Sequence, residues 1–372
     1  MRLRIRHSLS GIALLAVLSV PPHFRAQTTD THRASSPSAS AHSIEPGPKP
    51  PDTPAEWKRH LGIYEYSSYQ PPKSTVILLE RNQRLYLRHS SGTEEEVSLE
   101  NGSLGVPGSG GRIWLYSLDE EPGEPEVFSY LNEGFARVDP GWDPSHFFHV
   151  KPLKPVNQLR GQALAAKPRH EQSNFRHADL VELTTLDPSI HLDIRYAQSN
   201  NFLSTPVYTQ ARAFMQRPAA EALVRALHKL QPLGYGLLIH DAYRPWYVTK
   251  IFWDATPPKD HQFVANPKEG SKHNRGCAVD LSLYDLATGK AVEMPGLYDE
   301  MSPRSFPTFP GGTSLQRWHR ELLRRAMESE GFAVNESEWW HFDYKDWKLY
   351  QLMNLRFEDL AQPTSHKVSD PH

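Results

Sequence analysis

The stretch Ser271–Asp280 (SKHNRGCAVD) holds a histidine and an aspartate seven residues apart, His273 and Asp280, with Gly276 between them. It continues into Leu281–Tyr284 (LSLY), and from Cys277 onward the pattern has the two-residue period of a β-strand. That period places Asp280 on the face opposite to the strand's apolar side chains. An unpaired buried carboxylate is costly, so Asp280 is either solvated or paired, and a metal ion shared with His273 is one such partner.

A second stretch, Glu338–His341 (EWWH), supplies what the first lacks. A catalytic zinc ion takes three protein ligands and keeps one position for water, and two imidazoles with one carboxylate suit zinc better than magnesium or calcium. His273, Asp280 and His341 would make such a site. Glu338 is then the candidate general base for a water whose pKa zinc lowers toward 7.

The geometry of this second stretch sets a condition. Strand residues three apart point to opposite faces, so Glu338 and His341 converge only if the strand begins late or bulges between them. The alternative is an amphipathic edge strand whose two indoles pack against the protein and that holds no metal.

A third stretch, His240–Pro245 (HDAYRP), follows the short apolar strand predicted at Tyr235–Ile239. Functional residues concentrate where strands end. Arg244 would there stabilise the oxyanion that forms when water attacks a peptide carbonyl. Its alternative is a salt bridge to Asp241 or another acid.

Composition narrows the class of protein. The 372 residues suffice for two domains, and the net charge of −2, with 41 Lys and Arg against 43 Asp and Glu, gives no reason to expect nucleic acid or an anionic membrane as partner. Cys277 is the single cysteine, which excludes an intrachain disulfide and a zinc site built from cysteines.

Both ends of the chain are predicted to lie outside the folded domains. Residues 1–26 are typical of an export signal, with a basic start and the apolar run Gly11–Val20, which is too short to span a bilayer comfortably. No cysteine follows the run, which argues against a lipoprotein. We therefore expect an exported protein, periplasmic or secreted, without a stable membrane span once mature; an uncleaved N-terminal anchor is the alternative. Residues 27–53 are predicted to be a disordered linker and residues 362–372 a frayed tail.

Residues 54–153 predict a small all-β domain, a barrel or a sandwich, because short alternating segments recur between turn signals. No catalytic constellation is found there, and His146 and His149 are interpreted as structural. Residues 154–177 are predicted to be a polar connector.

Residues 178–361 mix helices and strands in partly segregated order. This predicts an α+β domain with a mainly antiparallel sheet and flanking helices around a cleft. Helices are expected at 219–230, 247–253 and 314–330, and strands at 192–196, 235–239, 332–334 and 339–344.

This region closely resembles the zinc D-alanyl-D-alanine dipeptidases, the family that includes the vancomycin-resistance dipeptidase. The shared landmarks, in order, are Arg195-Tyr196-Ala197, Asp241 with Tyr243-Arg244-Pro245, the Ser271–Asp280 stretch, Tyr298-Asp299 and Glu338-Trp339-Trp340-His341. The resemblance implies one zinc ion per chain. Its roles carry over as follows: His273, Asp280 and His341 as ligands, Glu338 as general base and acid, Arg244 as stabiliser of the transition state, and Asp299 and Ser271 as substrate-binding residues.

The resemblance has limits. Lys272 stands where the resistance enzyme carries serine, and the signal, linker and β region have no counterpart in it. We expect an exported zinc metallopeptidase that hydrolyses D-Ala-D-Ala or similar dipeptides in peptidoglycan turnover. The alternatives are a D,D- or L,D-carboxypeptidase acting on longer stem peptides, and a non-catalytic cell-wall-binding protein. In either case the β domain is a candidate for contact with peptidoglycan.

Overall fold

A computed structural model describes residues 43–66, 75–100, 103–105, 112–117, 126–130, 133–139 and 149–360. The predicted export signal, residues 27–42 of the linker, His146 and the tail from residue 361 lie outside these ranges.

Eight strands lie in the first part of the described chain: β1 Gly62–Tyr66, β2 Thr75–Arg81, β3 Arg84–His89, β4 Glu94–Glu100, β5 Ser103–Gly105, β6 Arg112–Ser117, β7 Glu126–Tyr130 and β8 Glu133–Arg137. Each pairs antiparallel with the next, and β1 also pairs with β8, so the sheet closes into a barrel. Closure leaves no sheet edge unpaired. Side chains such as Tyr64, Leu78, Leu87 and Phe128 fill the interior.

The second part carries seven strands: β9 Leu180–Glu182, β10 His191–Leu192, β11 Phe214–Gln216, β12 Tyr235–Asp241, β13 Ala278–Asp285, β14 Phe332–Asn335 and β15 Glu338–Tyr344. Five form one sheet in the order β10-β12-β13-β15-β14, in which only β10 and β12 run parallel, and β9 pairs with β11 separately. The central strand β13 is buried on both faces from Ala278 to Tyr284. Asp280 is therefore an interior carboxylate, and the solvated alternative is wrong.

The described ranges contain six α-helices: α1 Ala55–Lys58, α2 Val156–Ala165, α3 Leu183–Leu186, α4 Arg217–Leu230, α5 Trp246–Ala255 and α6 Ser314–Glu328. Helix α6 begins with a capping box, in which Thr313 and Gln316 each accept the other's backbone N–H. It gives way to Gly331, whose φ of +86° favours glycine. None of the helices within the described ranges is both long and apolar enough to cross a membrane.

The predicted α+β class with a mainly antiparallel sheet is confirmed, whereas two local predictions are wrong. The strand expected at 192–196 ends at Leu192, and Arg195–Ala197 forms a 3-10 turn. There the Tyr196 carbonyl accepts the N–H groups of Val207 and Tyr208 instead of pairing along a strand. The predicted connector contains α2, because its apolar residues recur at helical spacing and are buried. Whether the barrel folds as a domain of its own stays a prediction.

The end of the predicted linker is ordered against the protein. Trp318 Nε1 of α6 donates to the Gly47 carbonyl at 3.0 Å, and Lys49 Nζ lies 5.1 Å from the centre of the Tyr235 ring. Thr53 is buried. Side chains of α6 and β12 thus contact this segment. The prediction of a disordered linker is therefore wrong for residues 43–53.

Candidate metal centre

The three predicted ligands meet because two neighbouring strands and one turn place them together. Asp280 of β13 and His341 of β15 are direct partners in the antiparallel register. His273 lies in the 3-10 turn His273–Arg275 that leads into β13, and Gly276 closes this turn with a φ of +69°. A side chain at position 276 would be strained. Glycine therefore allows the chain to reverse and bring His273 back over Asp280.

The ligand atoms have the spacing of a metal site. His273 Nε2 lies 3.1 Å from His341 Nδ1 and 3.3 Å from Asp280 Oδ1, and His341 Nδ1 lies 3.0 Å from the same oxygen. Ligands bound to zinc at its usual distances in a tetrahedral arrangement are separated by about 3.3 Å. The three atoms therefore fit one zinc ion.

A second observation supports the fit. Asp280 Oδ1 is buried and accepts no hydrogen bond of acceptable geometry from the residues the structure describes, although two ring nitrogens lie close to it. A buried carboxylate oxygen without a donor is costly. A cation between the three side chains would satisfy it.

Outer contacts fix which ring nitrogens face the centre. His273 Nδ1 lies 2.7 Å from the Ala242 carbonyl, and His341 Nε2 lies 3.0 Å from Asp343 Oδ1. Both partners are acceptors, so these nitrogens carry the protons and leave His273 Nε2 and His341 Nδ1 free to coordinate. Asp343 was not among the site residues predicted from the sequence. Its signal was present, because residues two apart in a strand share a face with each other.

Lys272 completes this outer shell. Its Nζ lies 2.5 Å from Asp343 Oδ2 and 5.1 Å from the centre of the Trp347 ring. Lys272, which stands where the resistance enzyme carries serine, is thus connected to the predicted ligand His341 through the Asp343 carboxylate.

Glu338 and His341 converge, as their predicted roles require. The pairing of β14 with β15 shifts register between Val334 and Asn335, which bulges the strand after Glu338. Glu338 Oε2 then lies 3.6 Å from His341 Nδ1 and accepts a hydrogen bond from Asn335 at 3.2 Å. Burial raises the pKa of Glu338 above its usual value, with Asp280 adding to the effect against the opposing influence of His341. A carboxylate with a raised pKa is a better proton acceptor.

Arg244 is buried and held in place from one side. Its Nε and Nη2 both lie 2.8 Å from Asp241 Oδ2, and Nη2 lies 3.7 Å from Asp280 Oδ2. The rings of Tyr196 and Phe252 lie within 5.2 Å of its guanidinium carbon. The salt bridge to Asp241 expected as the alternative is present, and it aims the guanidinium at the cavity of the metal centre.

Asp299 lines the same cavity as the two imidazoles. Its Oδ2 accepts a hydrogen bond from Tyr196 at 2.8 Å, while the adjacent Tyr298 donates to Asp280 Oδ2 at 3.1 Å. Burial raises the pKa of Asp299 to about 7, and the nearby charge of Asp280 adds to the rise. A cationic group entering the cavity would reverse that shift.

All seven predicted site residues line one cavity of about 300 Å³: Arg244, Ser271, His273, Asp280, Asp299, Glu338 and His341. Phe252, Phe263 and Trp340 add apolar walls. The cavity thus offers a metal site, two flanking carboxylates and one guanidinium in a volume suited to a small polar molecule.

Known proteins are similar to the part of the chain that holds this site. Residues 176–362, which hold every residue of the centre, match a family described as D-ala-D-ala dipeptidase. The chain is similar to the D-alanyl-D-alanine dipeptidase of Escherichia coli, at 34% identity over 191 residues, or 51% of this chain and 97% of the relative. Relatives of the same name from Enterococcus faecalis and Streptomyces coelicolor are 35% and 33% identical, over 43% and 45% of this chain and 90% and 92% of their own lengths.

Proposed function

The chain belongs to the D-ala-D-ala dipeptidase family of metallopeptidases, and on that premise we propose that it is an exported zinc dipeptidase. Its proposed substrate is D-Ala-D-Ala or a similar dipeptide from peptidoglycan. One observation carries the proposal: three ligand atoms 3.0 to 3.3 Å apart share a cavity with Glu338, Arg244 and Asp299.

His273, Asp280 and His341 would hold the zinc ion through Nε2, Oδ1 and Nδ1. When bound, zinc supplies a Lewis acid and a water molecule whose pKa is lowered toward 7. The acidic side chains around the two imidazoles favour a dication, because the carboxylates of Asp280, Asp299 and Glu338 all face the same cavity.

Glu338 moves the proton. Its carboxylate is partly buried at the cavity wall, next to His341, and its raised pKa suits it to take a proton from the attacking water. The same oxygen then returns that proton to the nitrogen of the leaving amino acid. Trp340 walls this side of the cavity and limits bulk water that would otherwise compete for the proton.

Arg244 stabilises the charge that develops on the peptide oxygen. Its guanidinium is held by Asp241 and lies near two aromatic rings, so it is preorganised and requires no rearrangement as the oxyanion forms. Two of its contacts are to one aspartate oxygen, which leaves other N–H groups to serve the substrate.

Asp299 binds the free amino group of the dipeptide. A half-buried carboxylate in the same cavity as the metal ligands pairs well with an ammonium group, and a substrate extended beyond that group would lose this charge pair. This favours a dipeptidase over a carboxypeptidase that trims longer peptides.

The decisive experiment is a hydrolysis assay with zinc measured per chain. We expect about one zinc ion per chain, cleavage of D-Ala-D-Ala that is lost with a chelator and restored by zinc, and much weaker cleavage of N-acetyl-D-Ala-D-Ala and a stem pentapeptide. A panel of L,D- and L,L-dipeptides defines the stereochemistry. Zinc-loaded protein that cleaves no dipeptide would contradict the proposal. Preference for the pentapeptide, unchanged by Asp299→Ala, would favour the carboxypeptidase.

Export and the cell-wall setting rest on the pattern of residues 1–26. Fractionation of cells that express the full chain, followed by N-terminal sequencing of the product, tests this part. We expect a shortened protein outside the cytoplasm, whereas full-length protein confined to the cytoplasm would contradict export.

A further inference from the structure

Asp299 lies in a loop, residues 297–306, that we call the substrate loop. Asp299 adopts a φ of +58°, in the left-handed region that is uncommon for residues other than glycine. Such a conformation persists only where its surroundings hold it. The position of the Asp299 carboxylate therefore depends on what fixes the two halves of the loop.

Glu300 holds the first half of the loop. Its side chain is buried, and Oε2 accepts the Leu297 N–H at 2.8 Å while Oε1 accepts the Ser302 hydroxyl at 2.5 Å. These contacts lie on both sides of Asp299. The Glu300 carboxylate thus ties the chain before the strained residue to the chain after it.

Arg304 holds the second half and is fully buried. Its Nε lies 3.3 Å from Glu300 Oε1, and its Nη1 donates to Asp139 Oδ1 at 3.0 Å. Asp139 follows the last barrel strand, and its second oxygen accepts the Ile63 N–H of β1. The chain of contacts therefore runs from the seam where the barrel closes, through Arg304 and Glu300, to the residue beside Asp299.

Buried ion pairs of this kind are geometrically demanding. Asp139 Oδ1 is shared between Arg304 Nη1 and Arg137 Nε of β8, at 3.0 and 3.1 Å. The side chains of Asp139 and Arg304 are 1% and 0% exposed. The barrel therefore contacts the loop through an ion pair that excludes solvent.

We propose that the β-barrel sets substrate recognition, with Asp139 and Arg304 as positioning residues that hold the substrate loop so that Asp299 faces the metal cavity. The inference rests on the proposed role of Asp299 in binding the substrate's amino group. It assigns the barrel a part in the catalytic unit, in contrast to a role as a separate binding module.

The test compares full-length zinc-loaded variants. Arg304→Met keeps the volume of the stem and removes the charge. For D-Ala-D-Ala we expect KM to rise about tenfold or more with kcat within about threefold, because binding of the amino group is lost and the chemistry is kept. The KM for N-acetyl-D-Ala-D-Ala, which has no ammonium, should not change, and zinc should stay at one per chain.

Lys58→Met is the matched control. It also removes a cation that pairs with the catalytic part of the chain, at Glu293, but the pair lies outside the substrate loop. We expect its KM and kcat to match those of the unaltered protein.

Two further measurements separate positioning from a general loss of structure. In the double variant, Arg304→Met should change the KM for D-Ala-D-Ala by less than about twofold beyond the effect of Asp299→Ala alone, because both changes remove the same interaction. Amide exchange at Leu297 should accelerate in Arg304→Met and not in Lys58→Met. If Arg304→Met does not fold, Asp139→Asn takes its place with the same expected direction.

Unchanged KM in a folded variant, full additivity with Asp299→Ala, or unchanged exchange at Leu297 would each overturn the inference. The exchange measurement needs no activity. A protein that cleaves no dipeptide would therefore refute the proposed function while Leu297 still decides whether the barrel holds the loop.

Discussion

Glu338 is the proposed general base, and its place is set by a strand bulge and by burial. Glu338→Gln keeps the size of the side chain and removes the proton acceptor. We expect zinc content to stay at one per chain and kcat for D-Ala-D-Ala to fall by about 10³-fold or more, because the general base is lost.

Metal analysis beside steady-state kinetics checks this prediction, with His273→Ala as the contrasting variant that loses zinc. Near-normal turnover in purified, zinc-loaded Glu338→Gln would rule out Glu338 as the base.

We expect Asp343 to act on the bound metal through His341. Its carboxylate accepts from His341 Nε2 and is itself paired with Lys272. Loss of such an outer partner typically weakens metal binding by about 10- to 100-fold. We expect Asp343→Asn to lower zinc affinity within that range and Lys272→Ser to lower it less, in a competition titration against a chromophoric chelator.

Asp346→Asn serves as the control for this titration. It lies three residues along the chain and pairs with Arg176 at the surface. Equal zinc affinity in Asp343→Asn and Asp346→Asn would show that the outer contact has no part in holding the metal.

Asp299 links stability to pH in the metal-free protein. Burial raises its pKa to about 7, so its contribution to stability is fully present below its usual pKa near 3.8 and is lost as pH rises through about 7. Asp299→Asn removes the group that ionises. Relative to the unaltered protein, we expect its free energy of unfolding to gain about 1 to 2 kcal/mol between pH 5 and pH 8, discounted for partial exposure.

Denaturant unfolding of both metal-free proteins at the two pH values measures the difference. The free energy of unfolding of Asp299→Asn, relative to the unaltered protein, should therefore be higher at pH 8 than at pH 5. If it is equal at the two pH values, or higher at pH 5, the surroundings do not raise the pKa of the Asp299 carboxyl.

At the scale of the elements, the central sheet depends on a glycine facing a tyrosine. Gly236 of β12 is the cross-strand partner of Tyr284 on β13, and a Cβ added at Gly236 would lie 2.2 Å from the tyrosine ring. Tyr284 is itself held by its hydroxyl, which donates to the Ser189 carbonyl at 2.7 Å, and by stacking on His191. The ring therefore has little freedom to move aside.

We expect Gly236→Ala to lower the free energy of unfolding by about 1 to 3 kcal/mol through overpacking. Gly161→Ala is the matched control, because Gly161 lies inside helix α2 with nothing within 4 Å of its would-be Cβ. There alanine should stabilise by up to about 1 kcal/mol. Denaturant titration of both variants checks the opposite signs, and equal effects would contradict this account of the sheet.

Over the whole molecule, the barrel and the α+β part are joined by buried polar contacts. Glu80 of β2 is fully buried and accepts the Ser314 N–H at the start of α6 at 2.6 Å, while its own N–H donates to the Gly312 carbonyl. Arg317 of α6 returns a hydrogen bond to the Glu80 carbonyl at 2.7 Å. A carboxylate at a helix N-terminus is favourable, and here it comes from the other part of the chain.

We therefore expect one unfolding transition for the full-length chain, with fluorescence and circular dichroism giving coincident curves. Glu80→Ala should separate the barrel transition from the other or lower the midpoint of both, because the N–H and hydroxyl of Ser314 lose the carboxylate they contact, whereas Arg317 keeps the backbone carbonyl. Glu96→Ala, which removes a surface pair with Arg84 on the same barrel, is the control and should change little. Two well-separated transitions in the unaltered protein would contradict the coupling.

The chemistry of individual segments follows from their residue pattern alone. His273, Asp280, Glu338 and His341 could be assigned to one candidate site because donor type and spacing restrict which metal they suit, and α6 could be assigned from its cap, its apolar stripe and Gly331. These signals are local in the chain, so no knowledge of distant contacts is needed to read them.

The contacts between distant segments could be identified only from the tertiary structure. Three features could not be predicted from the residue pattern, because the side chains involved carry no distinctive sequence signal. They are the pairing of Lys272 with Asp343, the 3-10 turn at Arg195–Ala197, and the contacts from Asp139 through Arg304 to the substrate loop. Strand register and burial bring them together, and a charged residue becomes a partner only once solvent is excluded around it. For this reason the candidate metal centre could be predicted from its residues, whereas the contacts between the barrel and the substrate loop could not.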